Sequence, residues 1–470
     1  MSRFTRTRLP RRLLLLLLLL LPPDGMTTLA QPLRLSSLLN TVDDAHPRIR
    51  AALAEIDVQR GRKLQAIAPP APRLTFHEEE IPSGEALGAG AQRIWQLSQE
   101  FDLPLLVGAR GAMYGHLERA AEYQLSVARA MVRAEIIDRY ATWHARLRQY
   151  VLLEENQRLA ADFARTARLR HDAGESSALE AARARAEEAS ARIARDQARR
   201  SLEEAAAALA IATARDIPSD VAAMPDSLDP AELLRRLPSS EEAMLAPSAD
   251  AYRSASGESA TAAGESATAA GESATAAGES ATAAGESATA AGNRETSPLL
   301  RSLREERDAA RSNASWRWME FLPRFEASWF HQDFKHLGPH WGAELTASLP
   351  LWFILDTRGS MIEHDAMARQ AEARYERAAI EIERDVRLAR RTLATAAANM
   401  RAYTDALILE ARHIADAADI GYDSGEVGYM EYLSARQAVN AITIGYHDAL
   451  AELYRAVARY ELVSGIHILE

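Results

Sequence analysis

The 470-residue chain has no cysteine, which excludes disulfides, thiolate metal sites, a cysteine nucleophile and a lipid-modified N-terminal cysteine. Its formal charge of −11 speaks against a nucleic-acid partner. Only 6% of residues are aromatic and alanine is abundant, which favours long helices over a thick aromatic core.

Arg3, Arg6, Arg8, Arg11 and Arg12 precede an unbroken run, Leu13–Leu21, and Thr28-Leu29-Ala30 supplies small residues for cleavage. This predicts a signal peptide over residues 1–30. The alternative, a membrane anchor, needs about 20 apolar residues, and the run has nine. Removing the segment takes the formal charge to −15.

Ser36–Ala66 predicts a helix, stopped by Pro69-Pro70 and Pro72. Two alternating segments follow, Arg73–His77 and, more clearly, Ile94–Asp102. Trp95, Leu97, Phe101 and Leu103 fall on one face; Gln96, Ser98, Glu100 and Asp102 fall on the other. With Gly84, Gly88 and Gly90 between them, they predict a hairpin. No proline occurs from Leu105 to Ile217. A helix from Arg110 to Gly174 spans roughly 95 Å, its return from Ser176 to about Ala214 roughly 58 Å, and the first helix roughly 46 Å. The two shorter helices stacked end to end match the long one.

Residues 218–296 separate this unit from the next. They contain Gly-Glu-Ser-Ala-Thr-Ala-Ala five times, from Gly257 to Ala291. The seven-residue period suggests a coiled coil, but a seam of Ala and Thr buries little area. A disordered insertion is predicted instead. Leu299–Met319 then reads as a helix. Arg324–His331 alternates with Phe325, Ala327 and Trp329 on one face. His340–Leu349 places Trp341, Ala343, Leu345, Ala347 and Leu349 opposite Gly342, Glu344, Thr346 and Ser348. From Leu351 onward a proline-free helical pattern turns back at Gly425.

Both turns carry Asp-x-Gly-Glu. Asp172, Gly174 and Glu175 are followed by Leu179-Glu180 and Ala184-Arg185. Asp423, Gly425 and Glu426 are followed by Met430-Glu431 and Ala435-Arg436, each pair offset by 251 residues. The glycine is predicted to end one helix in the left-handed conformation and the glutamate to start the next. Pro47 and Pro298, and Pro72-Arg73 and Pro323-Arg324, keep the offset. One long unit is read as duplicated in tandem.

The four predicted strands have the length of tilted strands that cross a bilayer. Trp95, Trp329 and Trp341 suit membrane interfaces. Four strands cannot close a membrane barrel, and open edges are forbidden in lipid, so membranous strands require several protomers in one barrel. His331, His336 and His340, with Asp333, are placed in the exposed hairpin loop; their spacing matches no tight metal site, and none is assigned. Gly108 and Gly111 read as close-packing positions. No Ser/His/Asp order or phosphate loop appears, so no enzyme, catalytic residue or cofactor is predicted.

The ordered set formed by the two Asp-x-Gly-Glu turns with their downstream Ala-Arg, and by Leu103-Pro104-Leu105 and Leu349-Pro350-Leu351 before Arg110-Gly111 and Arg358-Gly359, resembles the TolC-type outer-membrane efflux family. The segment from Leu97 to Gly111 looks most like its heavy-metal branch. The resemblance covers 33–217 and 297–466. It implies a mixed fold: antiparallel helical hairpins form a coiled-coil tunnel, and four strands per protomer contribute to a twelve-stranded barrel shared by a homotrimer. The domains are then residues 31–217 and 297–470, one efflux repeat each. It also implies a passive exit duct of a tripartite efflux or type I secretion system, placed in the outer membrane with its tunnel in the periplasm. The duct passes small molecules or metal ions, and a periplasmic adaptor and an inner-membrane pump are its partners. Carried over by position, Glu180, Tyr422 and Glu431 close the periplasmic end. Asp172, Gly174, Glu175, Asp423, Gly425 and Glu426 form adaptor-docking tips. Trp95, Leu97, Phe101, Phe325, Trp329, Trp341, Leu345 and Leu349 face lipid. The chain departs from the family in its Gly257–Ala291 insert, in Ser434 where a second acid is frequent, and in Val427 where an arginine is frequent. The last change implies a more weakly held gate. The rival reading is a soluble periplasmic coiled-coil adaptor or scaffold.

Overall fold

The computed structural model describes residues 33–40, 46–81, 83–215, 228–237, 297–334, 338–348 and 356–469. The Gly257–Ala291 repeats, His336 and Leu349 lie outside them. In the first half, α1 (Leu35–Asn40) and α2 (Pro47–Ile67) lead into strands β1 (Arg73–Glu79) and β2 (Gln92–Phe101). Helices α3 (Pro104–Asp172) and α4 (Ala178–Thr213) follow, then the short α5 (Pro230–Arg236). The second half runs α6 (Pro298–Trp316), a 3-10 turn, β3 (Arg324–Phe334), β4 (Gly338–Ser348) and α7 (Asp356–Ala402). A π-turn (Tyr403–Leu407), α8 (Ile408–Asp423) and α9 (Tyr429–Ser464) complete it.

Several boundaries differ from expectation for identifiable reasons. The single helix expected over Ser36–Ala66 is two helices flanking residues 41–45; α2 starts with Pro47 in its first turn, and the His46 imidazole accepts from the Arg48 N–H at 3.2 Å. Helix α3 begins at Pro104, six residues before Arg110, because proline suits a first helical turn, where its missing N–H is not needed. Its 69 residues span about 103 Å. The long helix expected up to Gly425 is interrupted by the π-turn. There the Tyr403 phenol lies against Gly445 of α9, where a Cβ would collide with the ring oxygen. A bulge in one helix is thus seated on a glycine of its neighbour.

Helix α4 buries Ala184, Ala191, Ala198 and Ala205 at seven-residue intervals, with Ala181, Leu202 and Leu209 completing the stripe. A 3.5-residue repeat is the signature of a left-handed supercoil. Towards the turn, the seam with α3 is made of small residues, with Ala164, Ala167 and Ala184 in one cluster. Midway along the helices the packing thickens. Tyr140, Trp143 and Leu147 of α3, Leu209 of α4, Met400 of α7, and Leu450 and Leu453 of α9 join one core. Leu228, Leu233 and Leu237, around α5, belong to it. Both ends of the described stretch are tied here. The Tyr140 hydroxyl donates to the Leu33 carbonyl at 2.7 Å. The Glu461 carboxylate, 4% exposed, accepts from the Ile468 and Leu469 N–H groups at 2.5 Å and from Arg133 Nε at 3.4 Å.

The four strands form one antiparallel sheet in the order β1-β2-β3-β4. Phe76 pairs with Trp95, Leu97 with Trp329, Phe101 with Phe325, and Ala327 with Leu345. Because side chains alternate along a strand, these partners share one face of the sheet. Ser98, Ser328 and Glu344 align on the other. His331 and His340 stand within β3 and β4, not in the loop expected for them. The β3–β4 register carries pairing outward to Phe334 and Gly338, beyond where the hydrophobic alternation fades.

Candidate channel gate and membrane face

At the first tip, Gly174 takes φ 77° and Glu175 N–H donates to the Arg170 carbonyl at 2.8 Å. At the second, Gly425 also takes φ 77°, and Val427 N–H donates to Gly421 at 2.9 Å. The first is a six-to-one closure of the Schellman type and the second closes one residue wider; each passes through a positive φ that glycine takes without strain. Val427 packs its methyl groups against Gly421, where a Cβ would stand 2.5 Å from Val427 Cγ2. Its apolar side chain therefore seals the turn.

Glu175 and Glu426 do not start the return helices; they remain in the turns. Ser177 is the N-cap of α4 and accepts from the Glu180 N–H at 3.2 Å, and Gly428 is the N-cap of α9. Glu180 and Glu431 are accordingly the acids of the two first turns, each the third helical residue rather than the sixth. Their charge suits the positive helix end there. Both are exposed.

Tyr422 sits in an aromatic cluster that joins the two helical hairpins. Its ring centroid lies 5.7 Å from Phe163 of α3 and 4.8 Å from Tyr432 of α9. Phe163 also stacks on Tyr429 with centroids 3.2 Å apart. Burial, with Glu187 nearby, pushes the Tyr429 phenol up to about 12. Gln437 Nε2 donates to Glu187 at 3.1 Å, a second tie between hairpins. Beside the cluster, Arg436 Nη2 donates to both oxygens of Asp419, at 2.6 and 2.8 Å, and Arg436 Nε to the Tyr432 hydroxyl at 3.0 Å. The second tip thus has a cation, although Val427 offers none. Among the described residues, Arg185, the match of Arg436 at the first tip, donates to Ala181 of its own helix.

Sequence reasoning quoted Arg436 without giving it a role and missed Phe163, Tyr429 and Tyr432. One signal was available: three tyrosines follow within eleven positions at the second turn, while alanine and serine fill the first. Both tips also present large apolar side chains at matched positions. Leu169 and Leu179 flank the first turn, Ile420 and Met430 the second, and each is more than half exposed.

At the other end, the sheet's apolar face is uncovered. Trp341 is 76% and Leu345 73% exposed; Trp95, Leu97, Phe101 and Trp329 are about half exposed, and Phe325 is partly covered. The polar face holds its most buried side chains, Ser98 and Ser328, so the sheet is inverted relative to a soluble one. The loop between β1 and β2 folds around Glu78, whose carboxylate accepts from the Gly88 and Gly90 N–H groups at 2.8 Å. A Cβ at Gly90 would fall 2.7 Å from the Glu79 carbonyl oxygen, so this close approach requires glycine. Among the described residues, no helix is long and apolar enough to cross a membrane.

A sheet with its apolar face outward, mounted on long helical hairpins, defines an outer-membrane channel with a helical extension. Residues 292–465 match the family model described as Outer membrane efflux protein. Three solved channels share the fold. The CmeC outer membrane channel of Campylobacter jejuni is 16% identical, with 92% of this chain and 85% of that one covered and a TM-score of 0.65. VceC of Vibrio cholerae is 15% identical, covering 92% and 96%, at 0.62. The open state of the Neisseria gonorrhoeae MtrE channel is 16% identical, covering 92% and 89%, at 0.60. No curated protein matches the chain. Over residues 292–465 the chain thus carries an outer membrane efflux protein domain, and as a whole it has the fold of these channels. The matched domain and the shared fold support an outer-membrane exit duct with its helices on the periplasmic side.

Proposed function

We propose that three copies of this chain share one twelve-stranded barrel, and that the tunnel is a passive conduit for small molecules or metal ions, opened at its tips by a periplasmic adaptor and driven by an inner-membrane pump. The observation that carries the proposal is the sheet. Its apolar face is continuous over four strands, and β1 and β4 are open edges within one chain. Open edges do not persist in lipid, and a four-stranded sheet is half the smallest known barrel. Pairing β4 of one copy with β1 of the next removes every edge. Trp95, Leu97, Phe101, Phe325, Trp329, Trp341, Leu345 and Leu349 then meet lipid. A soluble adaptor or scaffold has no use for this exposed apolar surface.

The tips supply the rest of the reading. Asp172, Gly174, Glu175, Asp423, Gly425 and Glu426 shape the two turns, and Leu169, Leu179, Ile420 and Met430 give them apolar knobs suited to the helical tips of an adaptor. Tyr422, Glu180 and Glu431 govern closure. Exposed carboxylates from three Glu431 copies make a ring that attracts cations. The similarity is spread evenly over differently named channels, with TM-scores from 0.60 to 0.65, and favours no one cargo branch.

The absence of native cysteine makes cross-linking a clean test. Cysteine pairs scanned along β1 and β4 should give covalent trimers in outer-membrane fractions. Cross-links confined to single chains, or protein recovered in the soluble periplasm, would overturn the shared barrel.

A further inference from the structure

Away from the tips and the sheet, three buried polar atoms of the helical belt have no partner among the described residues. His144 of α3 is 2% exposed, and its Nε2 has no hydrogen-bond partner among the described residues. His447 of α9 stands against it edge to face, ring centroids 5.9 Å apart, and its Nδ1 is also buried and unpartnered. One helical turn beyond His144, Arg148 has a buried Nε–H with no acceptor. Buried polar groups are nearly always satisfied, so three open ones in one place ask for a common partner.

All three groups can donate at once. The arginine Nε always carries a proton, and each imidazole has a tautomer with its proton on the open nitrogen. The missing component is an acceptor. The charges around the rings have the sign to receive an anion. Burial, reinforced by Arg148, holds the His144 imidazole down to about 3 and the His447 imidazole to about 4, so both are neutral donors near pH 7 and Arg148 is the fixed charge. The acid beside them, Asp448, is 3.6 Å from Arg146. A metal cation would meet the same repulsion from Arg148 that keeps protons off the rings. Among the described residues, no three His, Asp or Glu side chains gather to hold a metal. A cavity of about 410 Å³ beside the π-turn leads to His447, and Thr404, Arg412, Thr443 and Tyr446 line it. Arg412 is an exposed second guanidinium on this approach.

We propose that Arg148, His144 and His447 bind one small inorganic anion of the halide class in the wall of each protomer. A monatomic anion accepts N–H bonds from several directions and imposes no plane of its own. It would balance Arg148 and tie α3 to α9 beside the π-turn.

The test uses the full-length protein in detergent, with sodium bromide as the probe. Crystals soaked in bromide should give one anomalous peak per protomer within hydrogen-bonding distance of Arg148 Nε and both imidazoles, and Arg148→Gln should abolish it. In solution at constant ionic strength, replacing gluconate with bromide should raise the unfolding midpoint of the wild type but not of Arg148→Gln. Arg148 is partly exposed, so this variant keeps the helix intact. His144→Phe, which fills the same core volume, should lose the bromide response as well. No bromide peak, ordinary waters on the three donors, or a carboxylate of a neighbouring copy seated there would each overturn the assignment.

Discussion

The middle of the helical body and its tips are built from the same helices by opposite means. At the belt, Tyr140, Trp143, Leu209, Met400 and Leu453 interlock, and the buried Glu461 carboxylate pins the C-terminal segment to Arg133. At the first tip the seam is made of small residues, with three alanines in one cluster. The second tip is held by rings, one ion pair to both oxygens of Asp419 and one glycine turn. Large side chains concentrate cohesion where nothing has to move. Small residues and polar ties leave the tips near the low end of local stability, as the proposed gate requires.

The contrast can be broken first at the belt. The Glu461 carboxylate is buried, and removing it leaves the Ile468 and Leu469 N–H groups and Arg133 Nε without their acceptor, together about 3–5 kcal/mol. Glu461→Ala should lower global unfolding free energy by that amount in denaturant titration, while loss of a tip ion pair through Asp419→Asn should leave it within roughly 1 kcal/mol, as for other partly exposed pairs. Equal losses would mean that the tips are as cohesive as the belt.

Acid should act on the same region. His144 and His447 have folded values of about 3 and 4, below the ordinary 6.5 of the unfolded chain. Between those limits the unfolded state binds more protons, so stability falls as pH drops below 6.5 and is fully present above it. In halide-free buffer the loss should reach on the order of 3 kcal/mol for each histidine by pH 4. His144→Phe should flatten the slope in a series of thermal unfolding curves.

The sheet sharpens the comparison from the other end. An arginine on a lipid-facing strand costs about 2–4 kcal/mol at mid-bilayer. Leu345→Arg should therefore reduce heat-resistant trimer in the outer membrane, and Thr346→Arg on the opposite face should not. Equal tolerance would remove the membrane assignment. At the turns, Gly174→Ala or Gly425→Ala meets no neighbouring atom and carries only backbone strain, about 1–2 kcal/mol. Amide exchange should quicken at the altered tip and stay unchanged at the belt.

The smallest free energies belong to the gate. Tyr422→Phe keeps the ring between Phe163 and Tyr432 and removes only the hydroxyl, so a rise in single-channel conductance would assign closure to a hydrogen bond between copies. Phe163→Ala instead removes the ring that spans the hairpins and should raise conductance further. Glu431→Gln should lower cation preference. Wild-type behaviour in all three would leave closure to other side chains.

Much of this architecture was legible from local pattern. Gly174 and Gly425 mark the two turns because few other residues accept a positive φ without cost. Trp95, Leu97, Trp329, Trp341 and Leu345 fall on one face because alternation has a period of two, and their register across β2, β3 and β4 preserves that face. The proline-free stretches give helix lengths directly. The helix starts were less legible: Pro104 looks like a breaker until its place in a first turn is seen, and the acids that begin α4 and α9 are Glu180 and Glu431 because Ser177 and Gly428 take the cap.

Other features arose only when distant segments met. The π-turn at Tyr403–Leu407 depends on Gly445, some forty residues away. Arg436 becomes a tip cation because Asp419 faces it across the turn, whereas Arg185 in the matching motif donates to Ala181 of its own helix. Phe163 meets Tyr422 and Tyr429 from the other half of the chain. Likewise, His144 and His447 lie about three hundred positions apart in sequence and stand ring to ring in the belt. Periodicity and turn chemistry act over a few residues and are written locally. The partner of a side chain, and hence its charge state and its role, is fixed only by which helices pack together.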